Sequence, residues 1–275
     1  MLFCQAVSGN RLGGGGLALR LDDVGAASKA HEVYGLTRLV VGGVRIPFPG
    51  NFLFLKYLPP IKRWGPYREL LAIEWEDILT LLEAAGSRMT VGITAGWVER
   101  DGHVVPFPRK FREAAGVIRE GIRRGLLEVA NHGYTHCVLE DAAFRPRLFS
   151  GNRQFHREFL EWLPEGTHRE HLARAQGILE DFFGSPVLTL VPPGNAFARK
   201  TLDAAAGLGL RYLSCRDAGR HGPADGMMLI DDEHVMAIHD RDLILRGLGW
   251  LRDLLRPPSG APFLTVRQVG ERLAK

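Results

Sequence analysis

The sequence is poor in cysteine and has no long apolar run. Its three cysteines, Cys4, Cys137 and Cys215, are unevenly spaced and odd in number, which argues against a disulfide framework and favours a reducing compartment. No apolar run approaches the roughly 18 residues that would span a bilayer. Residues 1–8 lack the basic and apolar regions of a secretory signal. We therefore expect a cytoplasmic protein with no transmembrane segment.

Motifs for nucleic-acid recognition are also missing from the sequence. We find no helix-turn-helix, RNA-recognition or zinc-finger pattern, so we expect no nucleic-acid partner. Lysine and arginine (35) slightly outnumber aspartate and glutamate (31), which gives a formal net charge of +4. Arginines concentrate at 109–124 and at 145–157. These clusters have two interpretations, a solvated basic face and a surface for phosphate-bearing substrates.

The 275 residues, 45% of them hydrophobic and 24% charged, have the composition of an ordinary globular protein. Short apolar segments typical of strands alternate with segments of helical periodicity, which predicts a mostly parallel α/β sheet, open or closed into a barrel. We expect a single domain over residues 1–275. The stretch at about 24–70 carries five prolines, and we expect a long, mostly irregular insertion there. Insertions of that length are usually functional.

Four polar motifs each follow directly after a predicted strand. The carboxyl ends of parallel strands are where α/β folds build their sites, so we expect the four motifs to meet on one rim of the sheet. They are Asp22-Asp23, His132 to His136, Pro192-Pro193-Gly194 and His239-Asp240.

The first two motifs together suggest a metal site. His132 and His136 are four residues apart, which on one helical turn puts both imidazoles on the same side. Adjacent carboxylates repel, so Asp22 and Asp23 need a cation or an arginine to stay ionised together. Asp23 with the two histidines would form a three-ligand site, and Asp22 would be left as a base. For the histidine pair alone, strand capping or local hydrogen bonding is the alternative.

The motifs resemble those of the NodB-homology polysaccharide deacetylases, also known as carbohydrate esterase family 4. Leu-Arg-Leu-Asp22-Asp23-Val is similar to the first family motif, and Asn131-His132-Gly-Tyr-Thr-His136 is similar to the second. Val191-Pro192-Pro193-Gly194 resembles the third, normally Arg-x-Pro-aromatic, and Ile238-His239-Asp240 the last. The resemblance covers roughly residues 17 to 245. Within the family it is nearest to the WbmS-like proteins of bacterial surface-polysaccharide gene clusters.

The resemblance implies a distorted (β/α)7-type barrel and one divalent metal, with zinc first and cobalt, nickel or manganese as alternatives. Asp23, His132 and His136 would hold the metal. Asp22 would be the general base that takes a proton from the attacking water, and His239 the general acid that protonates the leaving amine. Backbone amides near Gly194 would help to hold the oxyanion.

The chain departs from the family pattern at two functional positions. The arginine that tethers the base in the third motif is Val191 here. Arg20 lies on the same strand face as Asp22, and we expect it to take over that tether. A tryptophan is missing near Ser214-Cys215-Arg216-Asp217, where Asp217 is expected to orient His239.

We expect an N-acetyl sugar, nucleotide- or lipid-linked, as the substrate of a cytoplasmic deacetylase in surface-polysaccharide biosynthesis. A deformylase, an O-deacetylase and an inactive carbohydrate-binding homologue are the alternatives. The stretch from Phe149 to Arg157 either binds substrate or begins a surface helix. The sequence does not indicate an oligomeric state. The expected substrate-binding residues are Pro193, Gly194, Asn195, Asn152, Arg153, His156 and Arg157.

Overall fold

The computed structural model describes residues 16–31, 33–52, 54–138, 157–256 and 260–275. Seven strands form one sheet in which every pairing is parallel. They are β1 (Ala18–Val24), β2 (Met89–Ile93), β3 (Leu127–Asn131), β4 (Thr189–Leu190), β5 (Tyr212–Ser214), β6 (Met228–Ile230) and β7 (Val235–His239). The spatial order is β6-β5-β4-β3-β2-β1-β7. The predicted distorted barrel of seven parallel strands is confirmed, and within the described residues its edge strands β6 and β7 do not pair with each other.

Helices connect and cover these strands. They are α1 (Ser28–His31), α2 (Ala72–Ala84), α3 (Phe107–Lys110), α4 (Arg112–Arg123), α5 (Glu165–Phe183), α6 (Arg199–Gly207), α7 (Asp240–Arg246), α8 (Leu248–Leu254) and α9 (Val266–Leu273). Helix α2 shows why they pack as they do. Its apolar residues at positions 75, 78, 79 and 82 share one face and are buried in the main core, because that spacing follows the helical turn. Strand β1, covered on both faces, is buried along nearly its whole length.

The insertion at 24–70 is more regular than the sequence predicted. Besides α1 it contains two antiparallel pairs, Tyr34–Gly35 with Lys62–Trp64 and Arg38–Val41 with Val44–Pro47. Gly42 and Gly43 join the second pair, and both have positive φ, which is the backbone that a tight two-residue hairpin requires. More than half of the described residues in this stretch lie outside helices and strands, as predicted, but the two strand pairs were not predicted. The nearby prolines favoured an irregular structure, although the sequence has a Gly-Gly pair between two segments rich in β-branched residues.

Among the described residues, no helix is long and apolar enough to cross a membrane.

Candidate metal centre and its pocket

Asp23, His132 and His136 lie together at the carboxyl ends of β1 and β3. One potential ligand atom from each lies within 4.8 Å of the other two. Asp23 Oδ1 is 3.4 Å from His132 Nε2 and 3.2 Å from His136 Nε2. Asp23 (φ 70) and His136 (φ 63) both have left-handed backbones, which cost roughly 1–3 kcal/mol for residues other than glycine. The surrounding fold therefore fixes the direction in which these two side chains point.

The hydrogen bonding of His132 presents the correct nitrogen for a metal. Its Nδ1 donates to the Val191 carbonyl oxygen at 2.6 Å, so its Nε2 offers a lone pair towards Asp23 and His136. Burial would lower the pKa of His132, but the carboxylates of Asp23 and Asp22 outweigh that effect and raise it. Two imidazole nitrogens and one carboxylate oxygen form a donor set suited to zinc and similar divalent cations. The residues fit such an ion.

A buried glutamate shapes the turn that carries the two histidines. The Glu158 carboxylate, in a residue only 1% exposed, accepts the backbone N–H groups of Tyr134 (2.9 Å), Thr135 (3.2 Å) and His136 (3.1 Å). At Gly133, a Cβ atom would lie 1.9 Å from Glu158 Oε2, so only glycine fits. Sequence reasoning missed Glu158, because it lies 22 residues beyond His136 and belongs to none of the four motifs.

Arg20 holds Asp22 in the arrangement that the sequence suggested. Its Nε and Nη2 each donate to one Asp22 oxygen at 2.8 Å, and its Nη1 donates to Ser214 Oγ at 2.7 Å. The two residues are 2% and 6% exposed. Burial alone would raise the pKa of Asp22, but the charge and hydrogen bonds of Arg20 lower it below its ordinary value. Asp22 is therefore a carboxylate at neutral pH.

His239 lies next to this pair, and its carboxylate neighbour differs from the expected one. In the register of β1 with β7, His239 is the partner of Asp22. Asp242 Oδ2 accepts the His239 backbone N–H at 3.1 Å and lies 3.8 Å from its Nδ1. Asp217, in a left-handed turn after β5, has no hydrogen bond or ion pair with His239. The structure thus places Asp242, rather than Asp217, beside His239, because helix α7 begins directly at the end of β7.

The expected substrate-binding residues divide into three groups. Gly194, Asn195 and Arg157 line the pocket above the metal site, together with Pro192. Pro193 is buried against Gly133 and does not line the pocket, and its substrate contact stays a prediction. Asn152, Arg153 and His156 lie outside the described residues.

The pocket, about 710 Å³ in volume, has one wall from the barrel rim and one from the insertion. Tyr34 and Trp64 stack in the second wall with ring centroids 5.1 Å apart. From α7, Arg241 lies 5.3 Å from the Trp64 ring and 3.6 Å from Asp23 Oδ2. Three more arginines line this cavity, Arg38, Arg45 and Arg63. The pocket is therefore electropositive and partly aromatic, which no motif predicted.

A buried ionic cluster attaches the insertion to the barrel beside His239. Lys29 contacts both Glu69 (2.7 Å) and Asp240, and the Tyr67 hydroxyl donates to Asp240 at 3.0 Å. Burial raises the pKa of Asp240 to about 7, because the Lys29 ammonium offsets only part of the loss of water and Glu69 adds a second negative charge. The sequence offered little indication of this cluster, since Lys29 is 40 positions from Glu69 and 211 positions from Asp240.

Fold and site together define a class of protein, an α/β barrel with a carboxylate and two imidazoles that converge at its carboxyl rim. The family model for polysaccharide deacetylase matches residues 72–213, a little more than half of the chain. The chain belongs to the polysaccharide deacetylase family. The matched part contains the second and third motifs and leaves out Asp22, Asp23 and His239. No curated protein sequence matches the chain.

Several solved structures are similar in fold. A carbohydrate esterase family 4 pseudoenzyme from Bacillus anthracis is 12% identical, with a TM-score of 0.45, over 73% of this chain and 62% of its own. A family 4 carbohydrate esterase from Streptomyces lividans, in complex with acetate, is 16% identical over 69% of this chain and 84% of its own, with a TM-score of 0.43. A family 4 acetyl xylan esterase from Clostridium thermocellum, in complex with a cobalt ion, is 11% identical over 74% of this chain and 86% of its own, with a TM-score of 0.44. The chain thus spans less than two thirds of the pseudoenzyme.

Proposed function

We propose that this protein is a metal-dependent hydrolase that removes an N-acetyl group from a sugar intermediate of bacterial surface-polysaccharide biosynthesis. The observation that carries the proposal is the grouping of Asp23, His132 and His136 beside the Arg20–Asp22 pair, with His239 in the same pocket. This grouping supplies a cation site, a proton acceptor and a proton donor around one volume of solvent-accessible space. Those are the parts that amide hydrolysis needs.

A divalent cation on Asp23, His132 and His136, with zinc first and cobalt, nickel or manganese as alternatives, supplies Lewis acidity towards the acyl carbonyl and the attacking water. Asp22 takes the proton from that water, and the two hydrogen bonds from Arg20 keep its carboxylate ionised and oriented. His239 gives a proton to the leaving amine nitrogen.

The Gly194 N–H would hold the developing oxyanion. Among the described residues it has no hydrogen-bond acceptor, whereas the next amide, that of Asn195, donates to the Pro192 carbonyl at 3.1 Å. Gly194 also lines the pocket and has φ 59, so its peptide lies in a left-handed turn at the edge of that space. A pre-oriented backbone donor of this kind is the usual means of stabilising a tetrahedral intermediate.

The arginines of the pocket favour a substrate with phosphate groups. Arg38 and Arg63 form no ion pair with any described residue, and both line the cavity. Guanidinium groups bind phosphate oxygens through paired hydrogen bonds, and the Tyr34–Trp64 stack offers a flat apolar surface to a sugar ring or a base. Arg63→Gln should raise KM for a phosphate-linked acetyl sugar and leave KM for the same acetyl sugar without phosphate unchanged.

The alternative of an inactive homologue rested on two absences, that of the tryptophan near Asp217 and that of the third-motif arginine which tethers the base. The Arg20–Asp22 contact supplies that tether from β1, which favours the active enzyme. A formyl or O-acetyl substrate is distinguished by its products, formate or acetate, and by whether an amine or an alcohol appears.

The test is the metal content of protein purified without chelators or a metal-affinity tag, followed by acetate release from acetyl sugars. We expect about one equivalent of metal, lost in His132→Ala and Asp23→Ala. His234→Ala is the matched control, because its imidazole also lies 3.2 Å from an aspartate oxygen, that of Asp231, away from the pocket. A chain that takes up no metal from zinc, cobalt, nickel or manganese, or that loses metal equally in His234→Ala, would contradict the proposal.

A further inference from the structure

The hairpin Arg38–Val41 and Val44–Pro47 has two different faces. Cross-strand partners share a face, so the pairs Arg38–Pro47 and Val40–Arg45 lie on one side, and Leu39–Ile46 and Val41–Val44 on the other. The first side faces the cavity, since Arg38, Val40 and Arg45 line it. The second side presents only apolar side chains.

That second side is exposed. Leu39, Val41, Val44 and Ile46 are between 37% and 64% exposed, although β-branched and aliphatic residues on a hairpin normally pack against a core. Nine of the fourteen large apolar side chains that are exposed in the described part of the chain belong to the insertion. Contiguous apolar surface of this kind marks a binding face. We refer to Leu39, Val41, Val44 and Ile46 as the outer face.

The charge of the insertion identifies the partner. Within the insertion, residues 33–68, which lie between Glu32 and Glu69, contain six lysines and arginines and no aspartate or glutamate. Five of these basic side chains are exposed, and Lys56 is buried. Since the whole chain has a formal net charge of +4, the remaining residues carry −2. Among the described residues the insertion also exposes Phe52, Phe54 and Tyr57. Exposed apolar and aromatic side chains in a segment that also exposes five basic side chains, Arg38, Arg45, Lys62, Arg63 and Arg68, match the interfacial region of an anionic bilayer.

We propose that the outer face docks onto the surface of a membrane that contains anionic phospholipids. A protein partner or a second copy of this chain would bury the same apolar side chains, but neither explains five exposed basic residues in a segment, 33–68, without aspartate or glutamate. Docking by the outer face puts the opposite side of the hairpin, with Arg38 and Arg45, between the membrane and the metal centre. The pocket then takes a sugar attached to a lipid phosphate; this assignment of substrate rests on the proposed function, whereas the docking does not.

The docking is tested with the full chain and vesicles. Wild-type protein is sedimented with vesicles of phosphatidylglycerol and phosphatidylcholine, and with vesicles of phosphatidylcholine alone. We expect binding to the anionic vesicles that weakens as salt is raised. Val41→Asp/Val44→Asp should lower the partition coefficient by about tenfold or more, and Lys62→Gln by about fivefold, the effect of one basic side chain near an anionic surface. None of these three residues lines the pocket.

Matched controls separate docking from loss of folding. Ile73→Asp/Leu273→Asp makes the same kind of change at two exposed apolar positions, 59% and 41% exposed, outside the insertion, and should bind vesicles as the wild type does. Brominated lipid should quench the fluorescence of the tryptophan introduced by Val41→Trp, but not the fluorescence of the tryptophan introduced by Ile73→Trp. Metal content should be unchanged in all of these variants, so a failure of docking is distinguishable from a failure of the proposed function.

Three outcomes would overturn the proposal. The first is no binding of the wild type to anionic vesicles at low salt. The second is equal binding by Val41→Asp/Val44→Asp and Ile73→Asp/Leu273→Asp. The third is self-association of the wild type that Val41→Asp/Val44→Asp abolishes, without vesicle binding, because the outer face would then be an interface between two copies of the chain.

Discussion

Replacing Arg20 by methionine removes the charge that holds Asp22 and leaves most of the side-chain volume. Both residues are almost completely buried, and Arg20 makes three hydrogen bonds of 2.7–2.8 Å. In Arg20→Met the Asp22 carboxylate remains in the same low-dielectric surroundings without its partner. We therefore expect a loss of stability as well as a loss of activity.

The size of the loss follows from the burial of the pair. Removing one partner of a buried ion pair costs about 3–5 kcal/mol, because an uncompensated charge stays behind. At about 2–4 °C per kcal/mol for a large domain, Tm should fall by about 6–20 °C at neutral pH. Arg20→Lys should lie between the wild type and Arg20→Met, because an ammonium keeps the charge but cannot bridge both Asp22 oxygens and Ser214 in one plane.

A double-mutant cycle measured by thermal and urea unfolding tests the reasoning. Asp22→Asn alone should also destabilise, and Arg20→Met/Asp22→Asn should be more stable than the sum of the two single changes predicts. Arg123→Met is the matched control. Its guanidinium makes the same two-pronged contact with Glu120, at 2.8 and 2.7 Å, but the pair is on the surface, so we expect little change in Tm. Additive single changes, or an Arg20→Met variant as stable as Arg123→Met, would refute the argument.

Three further predictions concern the surroundings of the metal site. Glu158→Gln should weaken zinc binding by about 10–100-fold in a competition assay, because the turn loses its charged acceptor, whereas Glu161→Gln, at an exposed position, should not. Gly133→Ala should strongly lower Tm, since its Cβ would meet the Glu158 carboxylate; Gly116→Ala, in open space on α4, should raise stability by about 0.5–1 kcal/mol. The pKa of Asp240 is raised in the folded state to about 7, so its contribution to stability is present below its unfolded pKa and is lost as pH rises through 7. The Tm of Asp240→Asn should therefore fall less between pH 5 and 8 than that of the wild type, and parallel curves would contradict this.

The sequence predicted the parts of the site that follow from local patterns. Asp22 and Asp23 end an alternating apolar strand, and His132 to His136 follow another, so the parallel fold brings them to one rim without any long-range information. The position of Arg20 was also predictable, because side chains two residues apart on a strand share a face. The structure adds that the guanidinium reaches both Asp22 oxygens and Ser214 as well.

The contacts that the sequence did not predict join residues far apart in the chain. Glu158 reaches the turn that carries His132 and His136 because helix α5 places His171 against both Glu158 and Tyr134. Lys29 meets Asp240 across 211 positions. The position of Asp242 has a local cause, since it lies three residues after His239 on the first turn of α7 and is close enough to accept the His239 amide. A capping carboxylate at that spacing is a known pattern, and it could have been found in the sequence.

The buried cluster of Lys29, Glu69 and Asp240 explains how a long, partly exposed insertion can form one wall of the pocket. Apolar contacts are non-directional, so they would let a segment with two short strand pairs shift relative to the barrel. Hydrogen-bonded ions in a dry interior keep one geometry, because any displacement leaves a buried charge unpaired. Asp240 is also the residue after His239, and Glu69 also accepts the Gly25 amide two residues after Asp23. The insertion is thus tied to the chain segments that carry the proposed acid and a proposed metal ligand.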